Sequence, residues 1–260
     1  MNEHPHLSAD ERLRYRRHLL LPGMGEEGVQ RLRAARVLVV GVGGLGAPVV
    51  LYLAAAGVGV LGLVDADVVD VSNLQRQIIH TTRDVGRSKL LSAAEKVRAL
   101  NPDVKLEIHD VRLTARNALS LVREYDFVID AVDTWASKLD INDACVAAGK
   151  PFCHAGVQGF VGQLMTYVPG APCLRCVLGD TLAADGHRAE PESQAVMGSL
   201  VGVLGSLQAT ETIKFITGVG TLCTRRLLVV DASAMTFETL QVQQSARCHS
   251  CGGWLDFDSE

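Results

Sequence analysis

The sequence predicts an α/β fold: a Rossmann-like, doubly wound, mostly parallel sheet that finishes in antiparallel C-terminal strands and a tail tied back to the body. Three observations carry it. From residue 36 to 157, short β-branched runs alternate with helical patterns, the order of a parallel sheet with helices on both faces. A glycine turn, GVGGLG at 41–46, sits between the first strand and the helix after it. Beyond about residue 160 the alternation stops, and two C-x-x-C pairs, Cys173/Cys176 and Cys248/Cys251, have the spacing of a tetrahedral four-cysteine zinc site, so the tail is expected to be zinc-bound.

Each element has its own signal. Residues 8–35 read as helix, with Ser8 as N-cap and Glu11 three residues later. RVLVVG (36–41) is a strand, and a helix runs from the glycine turn to about Ala56. Residues 58–64 form the second strand. SKLLSAAEKVRAL (88–100) is amphipathic, with Ser88 as cap and Asn101-Pro102 as stop. VKLEIH (104–109) alternates as a strand, 114–124 is helical, and DFVIDAV (126–132) is a strand. A helix over 136–148 and a strand over 151–157 complete this part. GQLMTYV (162–168) is a strand, 178–195 is a polar loop without apolar period, and 196–217 is a long buried helix. RLLVVDA (226–232) and MTFETLQV (235–242) form a strand pair joined by a short turn.

The 260 residues suffice for one large α/β domain or two small ones; with no linker or internal repeat, one domain is the economical choice. Hydrophobic residues at 48%, charged residues at 21% and a net charge of −4 describe an ordinary soluble protein, and the absence of a basic block argues against nucleic acid as partner. The N-terminus lacks the apolar core of a signal peptide, which points to the cytoplasm. The uncharged run 47–64 approaches membrane-span length, but Gly57 and Gly59 divide it into a buried helix and a buried strand, so no membrane is expected.

In the glycine turn, Gly41 makes the tight bend, Gly43 lets the backbone approach a phosphate, Gly44 belongs to the same run, and Gly46 lets helix and strand pack. Free N–H groups at the helix start then face the anion. Asp65 ends the second strand, about 20 residues past the turn, where a ribose-binding acid belongs. To this point an NAD-dependent oxidoreductase fits equally well. The segment VDADVVDVSNLQRQ (64–77) separates the two. A nicotinamide cofactor has its pyrophosphate covered by the turn, whereas a triphosphate carries more charge and needs cations. Asn73 and Arg76, with Lys89 at the next helix start, are candidates for the outer phosphates. Asp67, and Asp133 in DAVDT, are candidates for Mg²⁺, a hard ion that takes carboxylate and phosphate oxygens.

GVGGLG, DADVVDVSNLQRQ, VGRSK, DAVD, PCLRC, GVLGSLQATETIK and CHSC, in that order, resemble the MoeB/ThiF/HesA family, bacterial relatives of ubiquitin-activating E1 enzymes, from RYRRHLLLPGMGEEGVQRL (14–32) to Cys251. The resemblance implies ATP-dependent adenylation of the C-terminal glycine of a ubiquitin-like sulfur-carrier protein ending in Gly-Gly (MoaD-like or ThiS-like). It implies Gly43 and Asp65 on the nucleotide, Asn73, Arg76 and Lys89 on phosphates, Asp133 assisting Mg²⁺, and Arg17 reaching the ATP of a neighbouring subunit in a homodimer. It also divides residues 1–260, as a single E1-like adenylation domain, into a helical arm (1–35), a nucleotide-binding core (36–160) and a carrier-binding, zinc-tied part (161–260).

The chain departs from the family pattern twice. Aligning AVMGSLVGVLGSLQA puts Pro191 where many relatives carry a loop cysteine, so no thioester is expected through that loop. Thr134 stands where relatives often have Asn, beside the nucleotide. Cys145 and Cys153 read as buried thiols, Cys223 follows a glycine-rich turn with nothing near to activate it, and His4, His6, His187 and His249 read as surface residues. Adenylation of a different small protein or peptide, and a scaffold that binds without turnover, remain alternatives.

Overall fold

The computed structural model describes residues 6–178 and 195–252. Its strands are β1 (Arg36–Val40), β2 (Val60–Asp65), β3 (Lys105–Asp110), β4 (Phe127–Asp130), β5 (Phe152–Gln158), β6 (Val161–Tyr167), β7 (Arg226–Asp231) and β8 (Thr236–Gln241). They form one sheet in the order β3-β2-β1-β4-β5-β6-β7-β8. The first five are parallel, and β6, β7 and β8 each run antiparallel to the strand before them. The strand order reverses between β1 and β4, and in open α/β sheets the crevice beyond the carboxyl ends at such a switch point receives the ligand.

Two apolar layers clamp the sheet, and the strand period of two sorts β1 between them. Val37 and Val39 pack with Leu53 of α4 (Gly46–Ala56), Ala93 of α5 (Lys89–Leu100) and Leu204 of α9 (Gly198–Thr217). Leu38 and Val40 pack with Val122 of α6 (Ala118–Arg123) and Ile141 of α7 (Trp135–Ala148). β4 is buried at every residue, which explains its unbroken apolar run up to Asp130. The apolar stretch 47–64 is α4, a left-handed Gly57 (φ 81°) and β2, and no helix among the described residues is long and apolar enough to cross a membrane.

Three expectations need correction. The helix expected over 8–35 is α1 (Ala9–Arg14), α2 (Arg16–Leu19) and α3 (Gly25–Ala34). Pro22 disfavours a helical Leu21 and Gly23 is left-handed at φ 79°, which breaks the pattern between α2 and α3. Ser8 caps α1 in a full capping box with Glu11, as read, but the Ser88 side chain makes no cap bond to α5. The helix expected over 114–124 shortens to α6 because Asn117 Oδ1 accepts the Thr114 N–H at 2.8 Å and its Nδ2 donates to the Arg112 carbonyl at 3.0 Å, so local side-chain bonds compete with the helix. One short helix, α8 (Leu174–Leu178), has no signal in the sequence reading and starts inside the first cysteine pair. The polar loop over 178–195, with Pro191, lies outside the described residues except at its ends.

Candidate active site

A cleft of about 1030 Å³ opens at the carboxyl ends of the parallel strands, across the switch point. The glycine turn forms its wall on the β1 side. Gly41 is left-handed at φ 95°, its N–H donates to the Val64 carbonyl at 2.8 Å, and a Cβ there would stand 2.7 Å from the Ala131 carbonyl. A Cβ on Gly46 would stand 2.0 Å from the Gly41 carbonyl, and one on Gly44 would stand 2.8 Å from Val201 of α9, so both are packing glycines. Gly43 differs: its Cβ would meet only the Gln77 side chain, at 3.4 Å. Nothing in the packing requires glycine there, and the free space is what an approaching ligand would use.

Asp65 closes β2 and points its carboxylate back at the turn. Oδ2 accepts the Val42 N–H at 2.8 Å and Oδ1 accepts the Asp67 N–H at 2.9 Å. Asp67 and Lys89 line the cleft together, with Lys89 Nζ donating to Asp67 Oδ2 at 2.9 Å. These two groups, expected on an ion and on a phosphate, neutralise each other here; Lys89 is buried while Asp67 is exposed. Arg76 lines the cleft and spends one N–H on the Ser72 carbonyl at 3.1 Å. Asp133 and Thr134 form the lip beyond β4. Asp133 is exposed and has no partner among the described residues, while the Thr134 hydroxyl caps α7 by accepting the Ser137 N–H at 3.3 Å. Two expected site residues stand apart. Asn73 does not line the cleft, and its Oδ1 accepts the Asp70 N–H at 3.1 Å in a tight turn. Arg17 is exposed on α2, also away from the cleft wall.

Beneath the lip lies a charged cluster that sequence reasoning missed. Asp130, the last residue of β4, is wholly buried. Its carboxylate accepts from Lys138 Nζ at 3.1 Å and from His154 Nδ1 at 2.6 Å. Burial raises the pKa of such a carboxyl, but the Lys138 charge and the His154 hydrogen bond override it and hold Asp130 below the usual carboxylate range. Burial, then Lys138, lower the pKa of His154. The neutral ring donates through Nδ1 and offers Nε2 to the Gln163 amide nitrogen at 3.3 Å. Trp135 stacks on His154 with centroids 6.1 Å apart. Trp135, Lys138 and Gln163 all reach the cleft wall. The available signal was the charge inside DAVD: a carboxylate ending a fully buried strand demands a partner, and Lys138 stands one turn into the next helix.

On the face of the sheet covered by α6 and α7, the four cysteines converge. The sulfurs of Cys173, Cys176, Cys248 and Cys251 all lie within 4.8 Å of one another, with Cys173–Cys248 at 3.6 Å and Cys176–Cys251 at 3.4 Å. Tetrahedral Zn–S bonds of about 2.3 Å place sulfurs roughly 3.8 Å apart, so the set fits a closed structural zinc site. The remaining thiols are no nucleophiles in waiting. Burial pushes Cys145, Cys153 and Cys223 all up from the ordinary thiol value, and none lines the cleft.

The chain is similar to known proteins over nearly its whole length. The ThiF family model matches residues 15–252. The chain is 43% identical over 263 residues to the "Probable adenylyltransferase/sulfurtransferase MoeZ" of Mycobacterium tuberculosis, covering 97% of this chain and 65% of that protein. It is 43% identical over 245 residues to the "Sulfur carrier protein adenylyltransferase" of Thermus thermophilus, covering 92% of this chain and 90% of that one. It thus spans just under two thirds of the MoeZ relative and nearly all of the other. Among solved structures, E. coli MccB crystallised with ATP superposes with a TM-score of 0.82 at 24% identity, covering 94% of this chain and 75% of MccB, a likeness of fold.

Proposed function

The chain belongs to the ThiF family, and from that premise we propose that it is an ATP-dependent adenylyltransferase acting on the C-terminal glycine of a ubiquitin-like sulfur carrier, MoaD-like or ThiS-like. One observation carries the reading: a single cleft joins an unobstructed glycine turn, the strand-end acid Asp65, the cations Arg76 and Lys89, and the carboxylate of Asp133, which has no partner among the described residues. A nicotinamide cofactor gives Arg76, Lys89 and Asp133 nothing to do.

In this reading Gly43 and Gly44 pass beneath the phosphates and Asp65 holds the ribose. Asp133, with Asp67, would hold Mg²⁺, which supplies charge neutralisation on the phosphate oxygens. The glycine carboxylate of the carrier is ionised at neutral pH, so no general base is required. Its oxygen attacks the α-phosphorus, the bond from that phosphorus to the bridging oxygen breaks, and pyrophosphate leaves with the bond electrons. The product is an acyl-adenylate. Arg76 and Lys89 stabilise the charge on the phosphates, Lys89 exchanging Asp67 for a phosphate oxygen. The chain's contribution is positioning plus preorganised charge. Arg17, exposed and without an intrachain partner among the described residues, is proposed to complete the site of a second subunit in a homodimer. With Cys145 and Cys153 buried, Cys223 half-buried away from the cleft and the other four cysteines gathered in one set, the adenylate is proposed to pass on without a loop-cysteine thioester.

The test is mass spectrometry of a Gly-Gly-ending carrier incubated with the protein, ATP and Mg²⁺, beside Arg76→Ala. An acyl-adenylate that the variant fails to make supports the proposal. Tight ATP binding with no MoaD-like or ThiS-like carrier adenylated would redirect it to a peptide substrate or a scaffold.

A further inference from the structure

Behind the glycine turn, a chain of buried and half-buried groups aims at one carbonyl. His80 is 5% exposed, and its Nε2 lies 3.1 Å from the Val42 carbonyl oxygen. A carbonyl only accepts, so Nε2 carries the proton. Nδ1 lies 2.9 Å from Ser92 Oγ on α5. Lys96, one turn further on, donates to Ser92 Oγ at 2.8 Å and to Asp84 at 2.5 Å. The direction of the chain is forced at both ends: the ammonium has no lone pair to accept with, and the carbonyl has no proton to give. Ser92 therefore accepts from Lys96 and donates to His80, and His80 donates to Val42. Burial, above all, with the charges of Lys96 and Lys89, lowers the pKa of the ring against the opposing pull of the Val42 bond and of Asp84.

Val42 is also held from its other side, since its N–H donates to Asp65 at 2.8 Å. In a trans peptide the C=O and the following N–H point in opposite directions. Fixing the Val42 carbonyl on His80 thus turns the Gly43 N–H away from His80, and that N–H has no backbone or side-chain acceptor among the described residues. We infer that His80 is a positioning residue: through a tautomer imposed by Lys96 and Ser92, it orients the Val42–Gly43 peptide so that the Gly43 N–H is presented to a nucleotide phosphate. The inference rests on the reading that the glycine turn holds phosphate, and it assigns that preorganisation to a side chain nearly 40 residues away in sequence.

The experiment titrates ATP with Mg²⁺, and separately adenosine, against the full-length protein, His80→Gln and His80→Leu. The Gln amide nitrogen reaches roughly the Nε2 position and donates; Leu has a similar volume and no donor. His80→Leu is expected to weaken ATP about tenfold and to leave adenosine within about twofold, while His80→Gln keeps ATP within about threefold. Equal losses for ATP and adenosine, or a Gln variant as weak as the Leu variant, would make His80 a packing residue and overturn the inference. Should His80→Leu not fold, Ser92→Ala carries the test. A long-range ¹H–¹⁵N spectrum should show the Nε2–H tautomer in the native protein and a growing Nδ1–H form, with weaker ATP binding, in the variant. A native ring dominated by Nδ1–H would overturn it. A native protein that binds no ATP at all would remove the nucleotide reading and this inference with it, an outcome distinct from the others.

Discussion

The floor and the rim of the cleft are both charged, and they are built on opposite rules. On the floor, Asp130, Lys138 and His154 are buried and mutually satisfied, and Lys138 spends a further N–H on the Ala155 carbonyl at 2.7 Å. On the rim, three residues along the chain, Asp133 is exposed and Arg76 donates to the Ser72 carbonyl alone, and among the described residues neither has a further partner. Both acids come from the same DAVD. A buried charge without a partner carries a heavy desolvation cost, so the floor has to be complete before any ligand arrives. Water satisfies the rim until a ligand replaces it. The floor is therefore expected to govern stability, and the rim to govern chemistry.

Breaking the floor should give the largest effect on folding. Lys138→Met leaves Asp130 buried and unpaired, and should cost about 3–5 kcal/mol, read by urea denaturation. A loss under about 1 kcal/mol would mean that the floor relaxes or takes in water. Arg76→Ala on the rim should do the reverse. Adenylate formation should fall on the order of 10²- to 10³-fold while unfolding changes by less than about 0.5 kcal/mol; comparable losses in both assays would erase the distinction.

The glycine turn repeats the contrast on a smaller scale. Gly46→Ala drives a Cβ to 2.0 Å from a backbone carbonyl and should lower the melting temperature sharply, whereas Gly43→Ala meets only the Gln77 side chain at 3.4 Å. Gly43→Ala should melt within a few degrees of the parent, about 1 kcal/mol or less, and still bind ATP more weakly.

The floor also sets a pH dependence. His154 has its folded pKa lowered by burial and by Lys138, so below its unfolded value of about 6.5 the unfolded chain takes up a proton that the native protein refuses. Its contribution is complete above that pH and is lost progressively as pH falls, by at most about 1.4 kcal/mol per pH unit. His80 and His18 are lowered too and act in the same direction. Denaturation curves between pH 7 and 5 should slope down, and His154→Gln should flatten part of that slope; an unchanged slope would assign it to the other two. The smallest effect belongs to neither region. Ser8→Ala removes the cap of α1 and should cost about 1 kcal/mol without touching adenylation.

What could be read from the chain alone was whatever depends on neighbours in sequence. The glycine turn between a strand and a helix, the acid at the end of β2, the capping box at Ser8 and the spacing inside each cysteine pair are local constraints, and local constraints leave local patterns. The parallel sheet with helices on both faces followed from the alternation of strands and helices as well. The breaks in the N-terminal arm and in the helix before β4 were misread because a single proline–glycine pair and a single Asn side chain outweighed a longer apolar pattern. Tertiary structure alone decided the rest. His154 meets Asp130 only because β5 lies beside β4, and His80 meets Val42 only because the segment after β2 folds back over the turn. Such pairings satisfy buried polar groups across tens of residues, and burial is a property of the folded packing that no stretch of sequence carries by itself.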